Sequence, residues 1–71
     1  MFAKSCIDVV YSLNTVVIKC YAGMASSVCV ALDNLFSDLI LGSLAGDDTI
    51  FAITSGDKAS MLLCEKIKNI I

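Results

Sequence analysis

Apolar and polar residues alternate over two short segments near the start of the chain, at residues 6–11 and 15–21. Both segments are rich in β-branched residues, so the pattern predicts two strands, with a turn at Ser12-Leu13-Asn14 between them. In the first strand, one predicted face carries Ile7, Val9 and Tyr11. In the second strand, Val16, Ile18 and Cys20 lie opposite Val17 and Lys19.

After Gly23 the apolar spacing changes from two to three and four, which predicts a helix that begins at Met24. Its apolar stripe consists of Ala25, Val28, Cys29, Leu32, Leu35 and Phe36. Ser26 and Asp33 are seven residues apart and therefore share a different face. Ser37 and Asp38 either end the helix or cap a short turn.

The second half of the chain repeats this order. Residues 39–45 and 49–54 are predicted strands, and Gly46-Asp47-Asp48 forms a tight turn between them. A last helix follows, with Ser55 or Asp57 as its predicted N-cap. The apolar stripe of this helix consists of Ala59, Leu62, Leu63, Ile67 and Ile70.

The element order β-β-α-β-β-α predicts an α+β fold: a two-layer sandwich of one antiparallel four-stranded sheet with both helices on one face. We expect residues 1–71 to form a single domain. Val17, Ile18, Phe51 and Ile53 place apolar groups on both faces of this sheet. The second face therefore needs a cover, which neighbouring copies of the chain would supply.

Composition supports this expectation. Of 71 residues, 58% are hydrophobic and 17% charged, which excludes a disordered chain. So short a chain cannot hide that many apolar side chains in one core. The longest uncharged run, residues 20–32, is too short to span a membrane, and Asp8 interrupts the only candidate for a signal peptide. We therefore expect a cytoplasmic homo-oligomer with no membrane partner.

Charge and residue usage exclude several function classes. The net charge is −2 and the chain contains neither arginine nor histidine, which disfavours nucleic-acid binding by this domain alone. Without histidine, the Ser-His-Asp and Cys-His enzymes and the usual metal sites are excluded. The four cysteines form no C-x-x-C pair, which disfavours a metal or redox site. Their even number would permit two disulfides, but no secretory signal accompanies them, so we interpret them as buried thiols.

The candidate chemistry lies in the turn, where Asp47 and Asp48 place two adjacent carboxylates in a very apolar protein. An ordinary solvated turn is the alternative interpretation. Asp33 adds a third carboxylate, and the helix that begins after Gly23 offers amide groups to an anion. Together these groups would complement a free amino acid that has a cationic side chain.

Three segments resemble the C-terminal domain of the bacterial arginine repressors. They are Gly23-Met24-Ala25, Ala31-Leu32-Asp33-Asn34-Leu35 and residues 40–50, whose sequence ILGSLAGDDTI is similar to the family pattern I-L-G-T-[IV]-A-G-D-D-T-I. Residues 16–19 and 65–67 fit as well, so the resemblance covers essentially the whole chain.

The resemblance implies a β-β-α-β-β-α domain that forms trimers, with two trimers stacked into a hexamer. L-arginine, the co-repressor, would bind at the trimer–trimer interface, and no other cofactor is implied. Asp47 would take the guanidinium and Asp48 the amino-acid head group. Further effector-binding positions would be Asp33, Ser26, Ser43 and Ala25. The family usually has Gln at the position of Ser26 and Thr at that of Ser43, and the departure at Ser26 concerns arginine selectivity.

The resemblance also implies that DNA binding belongs to an N-terminal winged-helix domain, to which nothing in this sequence is similar. The implied function is that of the effector-binding domain of a regulator of arginine metabolism. Two other classes stay open: an oligomerisation module whose Asp-Asp turn is purely structural, and a small enzyme with the same element order. The enzyme is disfavoured because such chemistry generally needs histidine.

Overall fold

A computed structural model describes residues 5–71 of the chain. Six elements follow one another in the predicted order. They are strand β1 (Cys6–Ser12), strand β2 (Thr15–Cys20), helix α1 (Ala25–Leu35), strand β3 (Gly42–Ala45), strand β4 (Thr49–Ile53) and helix α2 (Asp57–Ile70). The predicted β-β-α-β-β-α order is therefore confirmed.

The four strands form one sheet in the order β1-β2-β4-β3, and every neighbouring pair is antiparallel. Both helices cover the same face, which confirms the predicted two-layer α+β sandwich. One cross-strand row on the covered face runs through Val9, Ile18 and Ile50, all at most 1% exposed. The helices contribute Val28, Leu32, Leu63 and Ile67 to the same core.

The other face of the sheet is open and partly apolar, as the strand pattern predicts. A row of paired positions crosses all four strands from Val10 through Val17 and Phe51 to Leu44. Val10, Phe51 and Leu44 are between 51% and 75% exposed. The neighbouring row, Asp8, Lys19 and Thr49, is polar and leads towards the turn between β3 and β4.

The predicted face of β1 is wrong in part. Val9 is buried, but Ile7 is 56% exposed and Tyr11 37%. The pairing of β1 with β2 shifts register between Cys6 and Asp8, so the buried side chains on either side of this irregularity are Cys6 and Val9. A bulge of this kind breaks the simple period of two.

The predicted start of β3 is also wrong, because the strand begins at Gly42 rather than at Leu39. After α1 ends, the amides of Leu39 and Ile40 both donate to the carbonyl oxygen of Phe36, at 2.9 and 3.0 Å. These bonds hold the segment in a turn, so the pairing of β3 with β4 begins only at Gly42.

The predictions of the apolar stripes of both helices are partly wrong. Leu35 in α1 and Leu62 and Ile70 in α2 are exposed. In α2 the buried face includes Ser60 and Cys64 instead. The Ser60 hydroxyl lies 2.7 Å from that of Thr54, so this polar side chain is satisfied inside the core.

The N-cap of α2 is Gly56, and no side chain caps the helix, so the predicted caps at Ser55 and Asp57 are wrong. Gly56 has extended backbone, and its carbonyl oxygen accepts from the Thr54 hydroxyl at 2.9 Å. Asp57 instead begins the first turn of the helix, where its negative charge interacts favourably with the positive end of the helix dipole.

No helix within residues 5–71 has the length and apolar character needed to cross a bilayer.

Candidate ligand-binding site

The main chain of the acidic turn is fixed against the start of α1. The Asp47 carbonyl oxygen accepts hydrogen bonds from the amides of Gly23, at 3.1 Å, and Ala25, at 3.3 Å. The Asp48 carbonyl oxygen accepts from the Cys20 amide at 2.7 Å. Gly23 has a φ of +80°, a conformation that glycine adopts without strain, and this lets the chain reverse beneath the turn. The backbone of the turn is therefore held on two sides.

The two carboxylates of the turn are exposed but differ in their surroundings. Asp48 Oδ1 accepts a hydrogen bond of 2.9 Å from the Thr49 hydroxyl, whose oxygen in turn lies 3.2 Å from Lys19 Nζ. Within the described part of the chain, the carboxylates of Asp8, Asp33 and Asp48 accept hydrogen bonds and that of Asp47 does not. Asp47 therefore offers both of its oxygens to a ligand.

A second polar group joins α1 to β3. The Ser43 hydroxyl lies 2.7 and 2.9 Å from the two carboxylate oxygens of Asp33, and Cys29 Sγ lies 3.1 Å from the same hydroxyl. The Cys29 side chain is only 8% exposed, so this chain of contacts runs from the core to the surface. Ser43 therefore orients the Asp33 carboxylate within a single copy of the chain.

The six candidate residues fall into two groups. Asp47, Asp48 and Ala25 meet at the start of α1, where Ser26 is exposed in the first turn. The pair formed by Asp33 and Ser43 lies eight residues further along the helix than Ala25, a distance of about 12 Å at a rise of about 1.5 Å per residue. Ala25 is fully buried, so its side chain packs in the core while its amide positions the turn.

The expected anion site at the start of α1 is smaller than the sequence suggests. The Gly23 and Ala25 amides already donate to Asp47, and the Met24 amide donates to the Tyr21 carbonyl oxygen. In the described residues, the first-turn amides of Ser26 and Ser27 are left without a backbone acceptor, as is normal for a helix start. Any ligand carboxylate bound there would use these two amides.

A shallow depression of about 310 Å³ adjoins the turn on the open face of the sheet. It is lined by Leu44, Ala45, Gly46, Thr49 and Phe51. Gly46 and Thr49 flank the two aspartates in the chain, but neither aspartate lines the depression itself. This volume lies at the small end of the range for ligand pockets.

Three polar residues near these groups do not emerge from the sequence pattern: Thr49, Lys19 and Cys29. Both Thr49 and Lys19 lie in segments that resemble the family, residues 40–50 and 16–19. Neither segment marks them as site residues, because Thr49 merely follows the acidic pair and Lys19 has the pattern of an exposed strand residue. The signal that unites Lys19 with Thr49 is their direct pairing between β2 and β4. That register becomes known only once the strands are aligned.

The cysteines are buried free thiols, as predicted. Cys6 and Cys20 pair directly across β1 and β2. Burial raises the pKa of the Cys20 thiol to about 11, with a further contribution from the neighbouring Cys6, and burial also raises the pKa of Cys6 and Cys64. Thiols with raised pKa values are poor nucleophiles. In residues 5–71, no group of three or more acidic or cysteine side chains is arranged to hold a metal ion.

The chain is similar over nearly its whole length to proteins of one known family. A family model described as "Arginine repressor, C-terminal domain" matches residues 2–69. The arginine repressor of Caldicellulosiruptor saccharolyticus is 38% identical over 71 residues, which cover all of this chain and 47% of that protein. Those of Clostridium acetobutylicum and Lachnospira eligens are 35% and 45% identical, over 100% and 82% of this chain.

The chain spans less than half the length of these relatives, at 47%, 47% and 38%. All three are named as repressors, which makes the family one of transcription regulators rather than enzymes. The match to the family model extends over nearly the whole sequence and includes all four strands, helix α1 and all of helix α2 except its last residue. The chain therefore belongs to the family of arginine repressor C-terminal domains.

Proposed function

We propose that this chain is the effector-binding and oligomerisation domain of an arginine-responsive transcriptional regulator of arginine metabolism, with L-arginine as its ligand. The observation that carries the proposal is the acidic turn. Its backbone is fixed by amides of Cys20, Gly23 and Ala25, while both of its carboxylates are exposed. A rigid backbone under exposed charges favours binding, because little order has to be created when the ligand arrives.

The two aspartates suit different parts of L-arginine. Asp47 has two oxygens that can accept the paired N–H groups of a guanidinium, the geometry in which that cation binds carboxylates best. Asp48 has one oxygen already bonded to Thr49, which suits a single donor such as the α-ammonium. The α-carboxylate would be accepted by the amides at Ser26 and Ser27, with the Ser26 hydroxyl replacing a longer amide side chain.

The position of the turn supports a link between ligand binding and assembly. The turn closes the β3–β4 hairpin, whose Leu44 and Phe51 belong to the exposed apolar row. A copy that covers this row would approach the carboxylates as well. Without ligand, like charges at such an interface repel one another, and a bound guanidinium converts that repulsion into paired hydrogen bonds. We propose that trimers, and a dimer of trimers, form in this way.

In the whole protein, assembly would fix the spacing of the DNA-binding domains. L-arginine would then control operator affinity without contacting DNA, because ligand that binds only the assembled state shifts the population towards it. Such a regulator would act in the cytoplasm. DNA would be a partner only of the part of the protein outside this domain.

Calorimetry with L-arginine tests the assignment of Asp47. Asp47→Asn keeps the shape of the turn but removes the charge that pairs with the guanidinium, so we expect binding to weaken by at least about tenfold. Asp38→Asn is the matched control, since it removes one exposed acidic charge from the turn that follows α1. Equal affinity in the Asp47 variant and the wild-type chain would refute the assignment.

The second candidate function is a ligand-free oligomerisation module. The exposed row on the open face favours this alternative equally, because it requires a cover whether or not a ligand binds. A thermal-shift screen of amino acids separates the two functions. Stabilisation by L-arginine supports an effector domain, and the absence of stabilisation by any amino acid supports the simpler module.

A further inference from the structure

We infer that Thr49 is a positioning residue of the proposed site: its hydroxyl fixes one oxygen of Asp48 and leaves the other for the ligand's α-ammonium. The inference rests on the proposed function and goes beyond it, because it assigns to Thr49 the ability to distinguish an amino acid from a plain guanidino compound. It starts from two hydrogen bonds that meet at the Thr49 hydroxyl.

The direction of these bonds follows from the donors available. An ammonium group has three protons and no lone pair, so Lys19 can only donate to Thr49 Oγ1, across 3.2 Å. The hydroxyl has a single proton, which is then directed to Asp48 Oδ1 at 2.9 Å. Lys19 therefore determines the orientation of the hydroxyl, and the hydroxyl orients the carboxylate.

The backbone makes this arrangement stable. Lys19 and Thr49 are paired positions of β2 and β4, so the strand register holds their side chains on the same face. Thr49 is half-buried, and as a β-branched residue it has a restricted χ1 angle. The Asp48 carbonyl oxygen is fixed separately by the Cys20 amide. The Asp48 carbonyl oxygen is thus held from β2, and its carboxylate is held from β4 by Thr49.

The consequence is that the two adjacent carboxylates bind different groups of the ligand. Asp48 keeps Oδ2 for a single point donor, whereas Asp47 keeps both oxygens for a forked donor. A ligand that carries both a guanidinium and an α-ammonium satisfies both residues. A ligand that lacks the α-ammonium uses only Asp47 and should not respond to the loss of the Thr49 hydroxyl.

Titration calorimetry with two ligands tests the inference: L-arginine and 5-guanidinopentanoic acid, which is arginine without its α-amino group. Thr49→Val keeps the branched shape and removes the hydroxyl. We expect this substitution to weaken the binding of L-arginine by about three- to tenfold. The affinity for 5-guanidinopentanoic acid should change by less than about twofold. Thr49→Ser restores the donor and should recover most of the L-arginine affinity.

The outcomes separate the two proposals. If the wild-type chain binds no L-arginine, the proposed function and this inference both fail. Suppose that the wild-type chain binds L-arginine but Thr49→Val lowers the affinity for both ligands equally, or for neither. The inference alone is then overturned, because a residue with a merely structural role would not distinguish the two ligands. A Thr49→Ser variant as weak as Thr49→Val would also overturn it.

Discussion

The two faces of the sheet are built from the same strands but have opposite surroundings. On the covered face Val16, Ile18 and Ala52 are fully buried. On the open face Phe51 is 51% exposed and Leu44 is 75% exposed, although both are as apolar as the residues of the core. Successive side chains of β2 and β4 therefore point towards the helices and away from them, and both sets include apolar residues.

The comparison teaches that burial within one copy uses only part of the apolar surface that the sequence encodes. A strand with one solvated face normally alternates apolar and polar residues. Here apolar residues occupy the solvated face in one row across the four strands, which consists of Val10, Val17, Phe51 and Leu44. Polar residues occupy the next row, which leads to the acidic turn. The site and the uncovered surface are therefore neighbours.

The largest effect is expected from a change on the covered face. Ile18→Ala removes a fully buried side chain from the core, which should reduce the free energy of unfolding by about 2–5 kcal/mol. Val17→Ala at the adjacent residue removes one carbon atom fewer, from the open face, and should reduce the free energy of unfolding by less than half as much. Urea denaturation at low protein concentration measures both. Equal losses would show that the two faces do not differ within a single copy.

A change on the open face should act on association instead. Phe51→Lys places a charge in the centre of the exposed row and should weaken self-association by at least about tenfold, because a buried unpaired charge is costly. Leu62→Lys is the control, since Leu62 is 43% exposed on α2 in the helical layer. Sedimentation at several concentrations distinguishes the variants. Similar association constants for the two variants would contradict a role of the open face.

The smallest effect concerns pH and a thiol of the covered face. The Cys20 pKa is raised by burial from an ordinary value of 9.0 to about 11. Below pH 9 both states keep the proton. Between pH 9 and 11 the unfolded chain releases it while the folded chain retains it, so this contribution to stability is lost as pH rises.

Melting temperatures between pH 8 and 11 test this expectation. The wild-type chain should lose stability more steeply over that range than Cys20→Ala, in which the thiol is absent. The difference between the two curves isolates the contribution of the thiol, because the rest of the sequence is the same in both proteins. Parallel curves would show that the Cys20 pKa is not raised in the folded protein.

Much of the fold could be predicted from the sequence because local patterns and final packing agree. In β2 the alternation of Val16, Ile18 and Cys20 with Val17 and Lys19 matches the observed burial at every position. Strand β1 could not be predicted to the same detail, because the irregularity between Cys6 and Asp8 depends on its partner strand. The burial of Ser60 could not be predicted from its helix alone, because it depends on the hydroxyl of Thr54, which belongs to a different segment.

The candidate site was predictable where its residues are contiguous in sequence and unpredictable where they meet through pairing. Asp47 and Asp48 stand together in the turn, so their proximity needs no structure. The bonds from Lys19 through Thr49 to Asp48 depend on the register of β2 with β4. The contact of Ser43 with Asp33 depends on how α1 packs on β3.

Sedimentation velocity of the chain with and without L-arginine tests the central claim most directly. L-citrulline, which has a neutral ureido group in place of the guanidinium, is the matched control. The account predicts that L-arginine shifts the chain towards a larger, faster-sedimenting assembly and that L-citrulline does not. An unchanged sedimentation coefficient at a concentration of L-arginine that saturates the calorimetric binding curve would contradict the link between ligand and assembly.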